Sequence, residues 1–192
     1  MIRLIIVFSF LALSSFGSAF AASIPLGLGS PIDGTPSQSV RTVFGFTWPA
    51  TGSARTRVIY RETGIDLLAA AGDRILAVEA GIVKEAVATV PLMLGSIGYI
   101  IIEHTDGYGA KYTSYYYHTY NTQPQVTVGS AVTKGQYLAD VCDLGLNTHL
   151  HFGIRNAPYD PSQAKRDYLP IAASSTTPKF PEMYVDPLLY IP

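Results

Sequence analysis

Apolar and polar residues alternate along the middle of this chain in short stretches that glycine, aspartate and proline interrupt. This pattern is typical of β-strands that bury one face and expose the other. It is clearest over 74–89, 99–118 and 125–141, and a turn at Asp106 and Gly107 predicts a hairpin in the second stretch. We therefore expect a mainly β fold: a single domain of antiparallel sheet, arranged as a sandwich or barrel.

The stretch NTHLHFGIR, residues 147–155, places two of the four histidines one residue apart. If the stretch is a strand, His149, His151 and Gly153 share one face, while Leu150 and its apolar neighbours share the other. The apolar face would pack on a core. The opposite face would present two imidazoles to one site, or would leave two histidines on a half-exposed surface.

The chain begins with a segment that is typical of a secretion signal. Arg3 precedes the apolar run LIIVFSFLAL, and residues 19–21 offer a cleavage site of the A-x-A kind. We expect cleavage after Ala21, export to the periplasm or the exterior, and no stable membrane insertion afterwards, because the apolar run is short for a membrane span. Residues 22–42, rich in glycine, serine and proline, predict a flexible lead-in. Residues 43–192 would form the β domain, with 156–184 as a long surface excursion.

Composition narrows the function classes. Hydrophobic residues make up 48% of the 192 residues, which is enough for a substantial core. The formal net charge is −1 and there is no basic stripe, so binding to nucleic acid is not expected. The single cysteine, Cys142, has no partner for an internal disulfide and is interpreted as a core residue rather than as a nucleophile or ligand.

A series of motifs resembles the lysostaphin/LytM type of zinc metalloendopeptidase, a family that cuts peptide bonds in bacterial peptidoglycan. In order, the motifs are ETGID (62–66), GDRILAVEAGIV (72–83), IIEHTDGYG (101–109), YYYH (115–118), VGSAVTKGQ (128–136), HLHF (149–152) and VDPLLYI (185–191). The resemblance covers about residues 43–191. It implies the β fold of that peptidase type and an exported hydrolase that acts on the peptides of peptidoglycan.

The resemblance also implies roles for individual residues. Asp66 and His151 would bind the metal, and His118 and His149 would hold the attacking water and stabilise the developing oxyanion. His104 matches a histidine with a structural role. Zn²⁺ held by three protein ligands keeps a position open for water and polarises the scissile carbonyl. A nearby imidazole can take the proton of that water and return it to the leaving amine.

One position departs from the family pattern. The family's first ligand is the histidine that opens H-x-G-x-D, and Glu62 stands there in this chain. The site is therefore either Glu62, Asp66 and His151, or it is incomplete. Glutamate does bind zinc, but a second carboxylate weakens the metal as a Lewis acid and relaxes the preference for Zn²⁺ towards Mn²⁺ or Fe²⁺. The alternative for Glu62 is a surface carboxylate that pairs with Arg61 or Arg57.

Two other functions fit the same residues. The first is a metal-free pseudo-peptidase that binds cell-wall peptide or regulates a partner cell-wall hydrolase. The second is a glycan-binding β domain that uses its many tyrosines. Most tyrosines are expected to be structural, but strand alternation places Tyr116 beside His118, where it would contact substrate. The apolar segment 91–96 is a candidate wall of the substrate cleft.

Overall fold

The computed structural model describes residues 21–33, 39–51, 58–87, 98–120, 125–161, 168–172 and 183–192. Its regular structure is extended apart from two 3₁₀ turns, Gly145–Asn147 and Pro187–Leu189. The strands are β1 (Val40–Thr42), β2 (Thr47–Thr51), β3 (Val58–Glu62), β4 (Ile65–Leu68), β5 (Arg74–Leu76), β6 (Gly81–Val87), β7 (Tyr99–Thr105), β8 (Lys111–Tyr117), β9 (Thr119–Tyr120), β10 (Ala131–Val132), β11 (Tyr137–Val141), β12 (His149–Arg155), β13 (Tyr168–Ala172) and β14 (Tyr184–Val185).

Antiparallel pairing joins these strands into three sheets. The large sheet has the strand order β1, β4, β12, β8, β7, β6, β10, and β14 also pairs with β12. The smaller sheets have the orders β5, β11, β9 and β13, β3, β2. Because β1 and β10 lie at opposite ends of the large sheet, the described strands form an open sheet rather than a closed barrel. The predicted mainly β, antiparallel fold is thereby confirmed.

One face of the large sheet is apolar and forms the main core. Along β12, Leu150, Phe152 and Ile154 are fully buried, as the alternation predicts. They belong to one cluster with Ile75 of β5 and Leu138 of β11. The core therefore joins the large sheet to the β5–β11–β9 sheet, and the other face of β12 remains for polar side chains.

Ile24, Leu28 and Ile32 pack on this core, within the segment 22–42 whose composition predicts a flexible lead-in. Leu28 is 2% exposed and Ile32 is fully buried. The backbone amide of Leu28 donates to the Tyr190 carbonyl at 2.8 Å, and that of Gly29 donates to the Val78 carbonyl at 2.7 Å. Among the glycines and prolines, every fourth residue is apolar: Ile24, Leu28 and Ile32. These three side chains anchor the segment on the core.

The expected signal segment and the apolar segment 91–96 lie outside the described residues, except for Ala21. Among the described residues, no helix has the length and apolar character needed to cross a membrane. Cys142 is buried and forms no disulfide, which agrees with its interpretation as a core residue.

The predicted surface excursion, 156–184, contributes strands to two sheets. Tyr168–Ala172 (β13) pairs with β3, and β14 pairs with the end of β12. Pro170 falls within β13, which is an edge strand, where a missing amide proton is tolerated. Pro170 thus lies at a sheet edge, and residues 168–172 form a strand within the predicted excursion.

A buried hydrogen-bonded chain fixes His104 within the core. Its Nδ1 lies 2.8 Å from the Ala80 carbonyl, which can only accept, so Nδ1 carries the proton. Its Nε2 therefore accepts from the Ser114 hydroxyl at 2.7 Å. The Ser114 hydroxyl lies 3.3 Å from that of Tyr116, which accepts from the Val78 amide. The neutral imidazole completes this chain, which supports the structural role expected of His104.

We expect His104 to make the fold less stable in acid. Burial lowers the pKa of His104 below 6.5, despite the Ala80 contact that opposes this shift. An unfolded chain therefore binds a proton below about pH 6.5 that the folded chain does not. The contribution of His104 to stability is fully present above about pH 6.5 and is lost as the pH falls towards the folded pKa.

Urea unfolding of wild type and His104→Gln at about pH 7.5 and about pH 5 tests this expectation. The variant should be less stable by about 1–3 kcal/mol at the higher pH, because the buried chain of hydrogen bonds is altered. The difference should shrink at the lower pH. His118 is present in both proteins, so its titration cancels in the comparison. A difference that stays constant between the two pH values contradicts the expectation.

Candidate metal centre

The candidate site lies on the polar face of the large sheet, where β4 and β12 pair. In the register of this pairing, His151 stands opposite Asp66, and His149 stands opposite Leu68. The co-facial placement of the two histidines that the sequence predicts is present, because His149 and His151 alternate with the buried Leu150. The two predicted ligands from distant parts of the chain are therefore brought together by strand pairing alone.

Glu62 reaches the same place through a bend between β3 and β4. Its amide donates to the Phe46 carbonyl at 2.9 Å, and its carbonyl accepts from the Gly45 amide at 3.1 Å. The bend then packs Gly64 against β12, where an added Cβ would lie 2.2 Å from the Phe152 carbonyl oxygen. Only glycine permits this approach. The bend thus directs the Glu62 side chain towards β12.

The three predicted ligands converge between the bend, β4 and β12. His151 Nδ1 lies 2.7 Å from Glu62 Oε1 and 3.1 Å from Asp66 Oδ1. All three residues are buried, and one ligand atom from each lies within 4.8 Å of the others. Glu62 is only 3% exposed, so the alternative of a surface carboxylate does not describe it. Glu62, Asp66 and His151 form a group that could hold a metal ion.

The charges of this group suit a divalent cation. Burial alone would raise the pKa of Asp66. The hydrogen bond to His151 and the charges of the nearby imidazoles lower it by more, so the pKa of Asp66 lies below its usual value. Two buried carboxylates beside one imidazole carry more negative charge than a single imidazolium can balance. A divalent ion beside a neutral His151 would bring the sum to zero. The donor set, two oxygens and one nitrogen, is one that zinc accepts.

His118 and His149 lie together beside these ligands. Their ring centroids are 4.5 Å apart, and His149 Nε2 lies 3.5 Å from Asp66 Oδ1. His149 Nδ1 contacts the Asn147 carbonyl, so Nδ1 carries the proton and Nε2 is left with a lone pair. Burial, followed by the charges of His149 and His151, lowers the pKa of His118 to about 3. The His118 imidazole is therefore neutral at neutral pH.

The expected place of Tyr116 beside His118 is wrong. His118 has a φ of 65°, so the regular alternation of β8 ends before it. Tyr116 points into the main core, and Tyr115 and Tyr117 lie on the site face instead. Their rings flank His151, with centroids 6.0 and 5.7 Å away. Counting back from His118 misplaced these tyrosines because the sequence does not reveal a left-handed residue at a strand end.

The tyrosines of the site face are packed rather than open. Tyr99, Tyr115, Tyr117 and Tyr184 are all buried and form a second cluster with Ile101. Burial raises the pKa of Tyr115 well above 10, so its hydroxyl stays protonated. Such side chains offer little surface to a sugar, so these four tyrosines do not support the glycan-binding alternative.

Comparison with known proteins agrees with the motifs. The family model described as Peptidase family M23 matches residues 60–164, more than half of the chain. A zinc containing peptidase from Vibrio cholerae is similar at 21% identity, over 73% of this chain and 39% of that one, with a TM-score of 0.45. This chain thus spans less than half of that protein. No curated protein sequence matches the chain.

Two catalytic domains are also similar to the chain. The catalytic domain of the antimicrobial peptidase lysostaphin from Staphylococcus simulans has 22% identity over 66% of this chain and 86% of that one, with a TM-score of 0.43. The catalytic domain of the prophage-encoded M23 protein EnpA from Enterococcus faecalis has 20% identity over 76% of this chain and 100% of that one, with a TM-score of 0.46.

We expect Gly64→Ala to destabilise the fold by about 1–3 kcal/mol or more, because the new methyl group would collide with the backbone of β12. Gly107→Ala is the matched control, since nothing lies within 4 Å of a Cβ built there, and its effect should stay within about 0.5 kcal/mol. Thermal unfolding of the metal-free proteins measures both. Equal midpoints for the two variants would show that the close approach of the bend to β12 does not constrain the fold.

Proposed function

The chain belongs to peptidase family M23, and we propose that it is an exported metal-dependent endopeptidase that cleaves peptide bonds in bacterial peptidoglycan. The observation that carries this proposal is the convergence of Glu62, Asp66 and His151 around one point, with His118 and His149 beside them. Export is supported by the signal-like residues 1–21. The peptides of peptidoglycan are the proposed substrate class, in keeping with the family resemblance of the motifs.

Each residue has a proposed task. Glu62, Asp66 and His151 would hold one divalent ion, which when bound would polarise the scissile carbonyl and lower the pKa of a bound water. His149 presents the lone pair of Nε2 next to Asp66, so it would accept the proton of the attacking water. His118, held neutral by burial, would orient the water or donate to the oxyanion through a ring N–H.

Glu62 sets the proposed metal preference. A glutamate in place of a histidine adds one negative charge and one oxygen donor to the site. The bound metal is then a weaker Lewis acid, and hard ions gain relative to zinc. We therefore propose one Zn²⁺ per chain, with Mn²⁺ or Fe²⁺ as competing ions.

The same residue supports a second candidate function. If Glu62 pairs only with His151 and binds no metal, the chain would be a pseudo-peptidase that binds cell-wall peptide or regulates a partner hydrolase. The 2.7 Å contact between Glu62 Oε1 and His151 Nδ1 is compatible with such an ion pair. Metal content separates the two candidates.

We expect the purified mature protein to bind about one zinc or manganese ion per chain and Glu62→Ala to lose it, because one of three ligands is removed. Elemental mass spectrometry measures the ion, and the release of new amino termini from isolated peptidoglycan measures cleavage. Glu79→Gln is the control, since Glu79 pairs with Lys134 and is not part of the candidate metal centre. It should keep both the metal and the activity.

The outcomes of this experiment separate the candidates. A wild type that stays metal-free after zinc, manganese and iron have been offered rules out the metallopeptidase and leaves the pseudo-peptidase. Metal binding without release of amino termini from peptidoglycan would retain the metal site but exclude this substrate. Metal retained by Glu62→Ala at full stoichiometry would remove Glu62 from the ligand set.

Glu62→His should move the proposed enzyme towards the family pattern. The substitution removes one negative charge next to the metal, so the pKa of the bound water should fall. We expect the pH optimum of peptidoglycan cleavage to drop by roughly one unit, and zinc to gain over manganese. Rate profiles against pH, with each metal in turn, measure this. An unchanged optimum in a variant that still binds metal would mean that Glu62 does not act on the metal-bound water.

A further inference from the structure

Tyr115 crosses the face of β12 at Gly153. The two residues are Cα partners in the pairing of β8 with β12. A Cβ added to Gly153 would lie 2.0 Å from Cζ of the Tyr115 ring, so the ring occupies the space that any other side chain would fill. Gly153 faces the site like His149 and His151, and its missing side chain gives the tyrosine a path across the strand.

Beyond Gly153, the Tyr115 hydroxyl reaches the bend that carries Glu62. It donates a 2.7 Å hydrogen bond to the carbonyl oxygen of Thr63, the residue after Glu62. Both partners are buried, with Thr63 fully inaccessible and Tyr115 5% exposed. The bond therefore ties the bend between β3 and β4 to β8, a strand that is not adjacent to it in either sheet.

The same ring also packs near a second ligand. The Tyr115 ring lies 6.0 Å from that of His151, at an interplanar angle of 27°. Tyr184 packs edge-on against Tyr115 with centroids 5.8 Å apart, which limits movement of the tyrosine away from the site. One side chain thus contacts the backbone next to Glu62 and the imidazole of His151.

We propose that Tyr115 is a positioning residue that holds Glu62 and His151 in the geometry of the metal site, with Gly153 as the gap that admits its ring. This inference rests on the proposed metallopeptidase function. Glu62 is held on one side by its backbone hydrogen bonds to Gly45 and Phe46. The Tyr115 bond fixes the next peptide group from the other side. Supporting contacts of this kind set how well ligands are arranged before a metal binds.

The test compares Tyr115→Phe with Tyr116→Phe. The first removes only the hydroxyl that bonds to Thr63, and the ring remains over Gly153. The second removes a buried hydroxyl one residue away, which accepts from the Val78 amide on the core face. Both variants should unfold at lower denaturant concentration than wild type. A purely structural role for Tyr115 predicts the same metal affinity in both.

Zinc affinity is measured by competition with a chromogenic chelator. We expect Tyr115→Phe to bind zinc about tenfold more weakly than wild type, the lower end of the effects seen for residues that support metal ligands. Tyr116→Phe should bind zinc as wild type does. Equal zinc affinity in wild type and Tyr115→Phe would overturn the proposal while leaving the metallopeptidase intact.

Amide hydrogen exchange on the metal-free proteins distinguishes a failure of the positioning role from a failure of the proposed metallopeptidase function. The Glu62 amide, which donates to Phe46, should exchange faster in Tyr115→Phe than in Tyr116→Phe once global stability is allowed for. This result would support the positioning role even if wild type bound no zinc and the proposed function failed. Equal exchange at Glu62 in the two variants would overturn the positioning role whatever the metal content.

Discussion

The antiparallel pairing of β4 with β12 is the constraint on which the rest of the molecule depends. It places Asp66 opposite His151 on one face, and Ile65 opposite Phe152 where the core lies. Because side chains alternate with a period of two, a slip by one residue would turn His151 into the core and Phe152 into the site. The apolar cluster around Leu150 and Phe152 therefore fixes the register of the candidate metal centre as firmly as it fixes the fold.

Two glycines let the neighbouring elements approach this pair. Gly64 brings the bend after Glu62 against the backbone of β12, and Gly153 lets the ring of Tyr115 lie across the same strand. Neither approach leaves space for a methyl group. The third candidate ligand thus reaches the site through backbone contact, whereas Asp66 and His151 reach it through strand register. This difference explains why the position of Glu62 needs support from Phe46, Gly45 and Tyr115.

Strand alternation was sufficient to predict the antiparallel β fold and the two faces of β12, whereas the five candidate site residues came from the family resemblance of the motifs. Alternation failed where the backbone leaves the regular pattern. The positive φ of His118 reverses the faces expected for Tyr115 and Tyr116. The burial of Leu28 and Ile32 was not predicted, because glycines and prolines surround them in the sequence. Strand β13 was not predicted either, because it contains Pro170, which is tolerated there at a sheet edge. At Leu28, Ile32 and β13, long-range packing or pairing determined a conformation that local composition does not encode.

The two faces of the large sheet place histidine in different surroundings, and this contrast supports the proposed metal site. In the core, the two ring nitrogens of His104 contact one carbonyl and one hydroxyl, so a neutral ring satisfies both partners and needs no cation. On the site face, His151 Nδ1 faces two carboxylates at once, although one ring proton can serve only one of them well. Tyr115 and Tyr117 flank the ring, so this orientation is held by packing. An arrangement that concentrates negative oxygens around one imidazole nitrogen is poorly satisfied by protons and well satisfied by a metal ion.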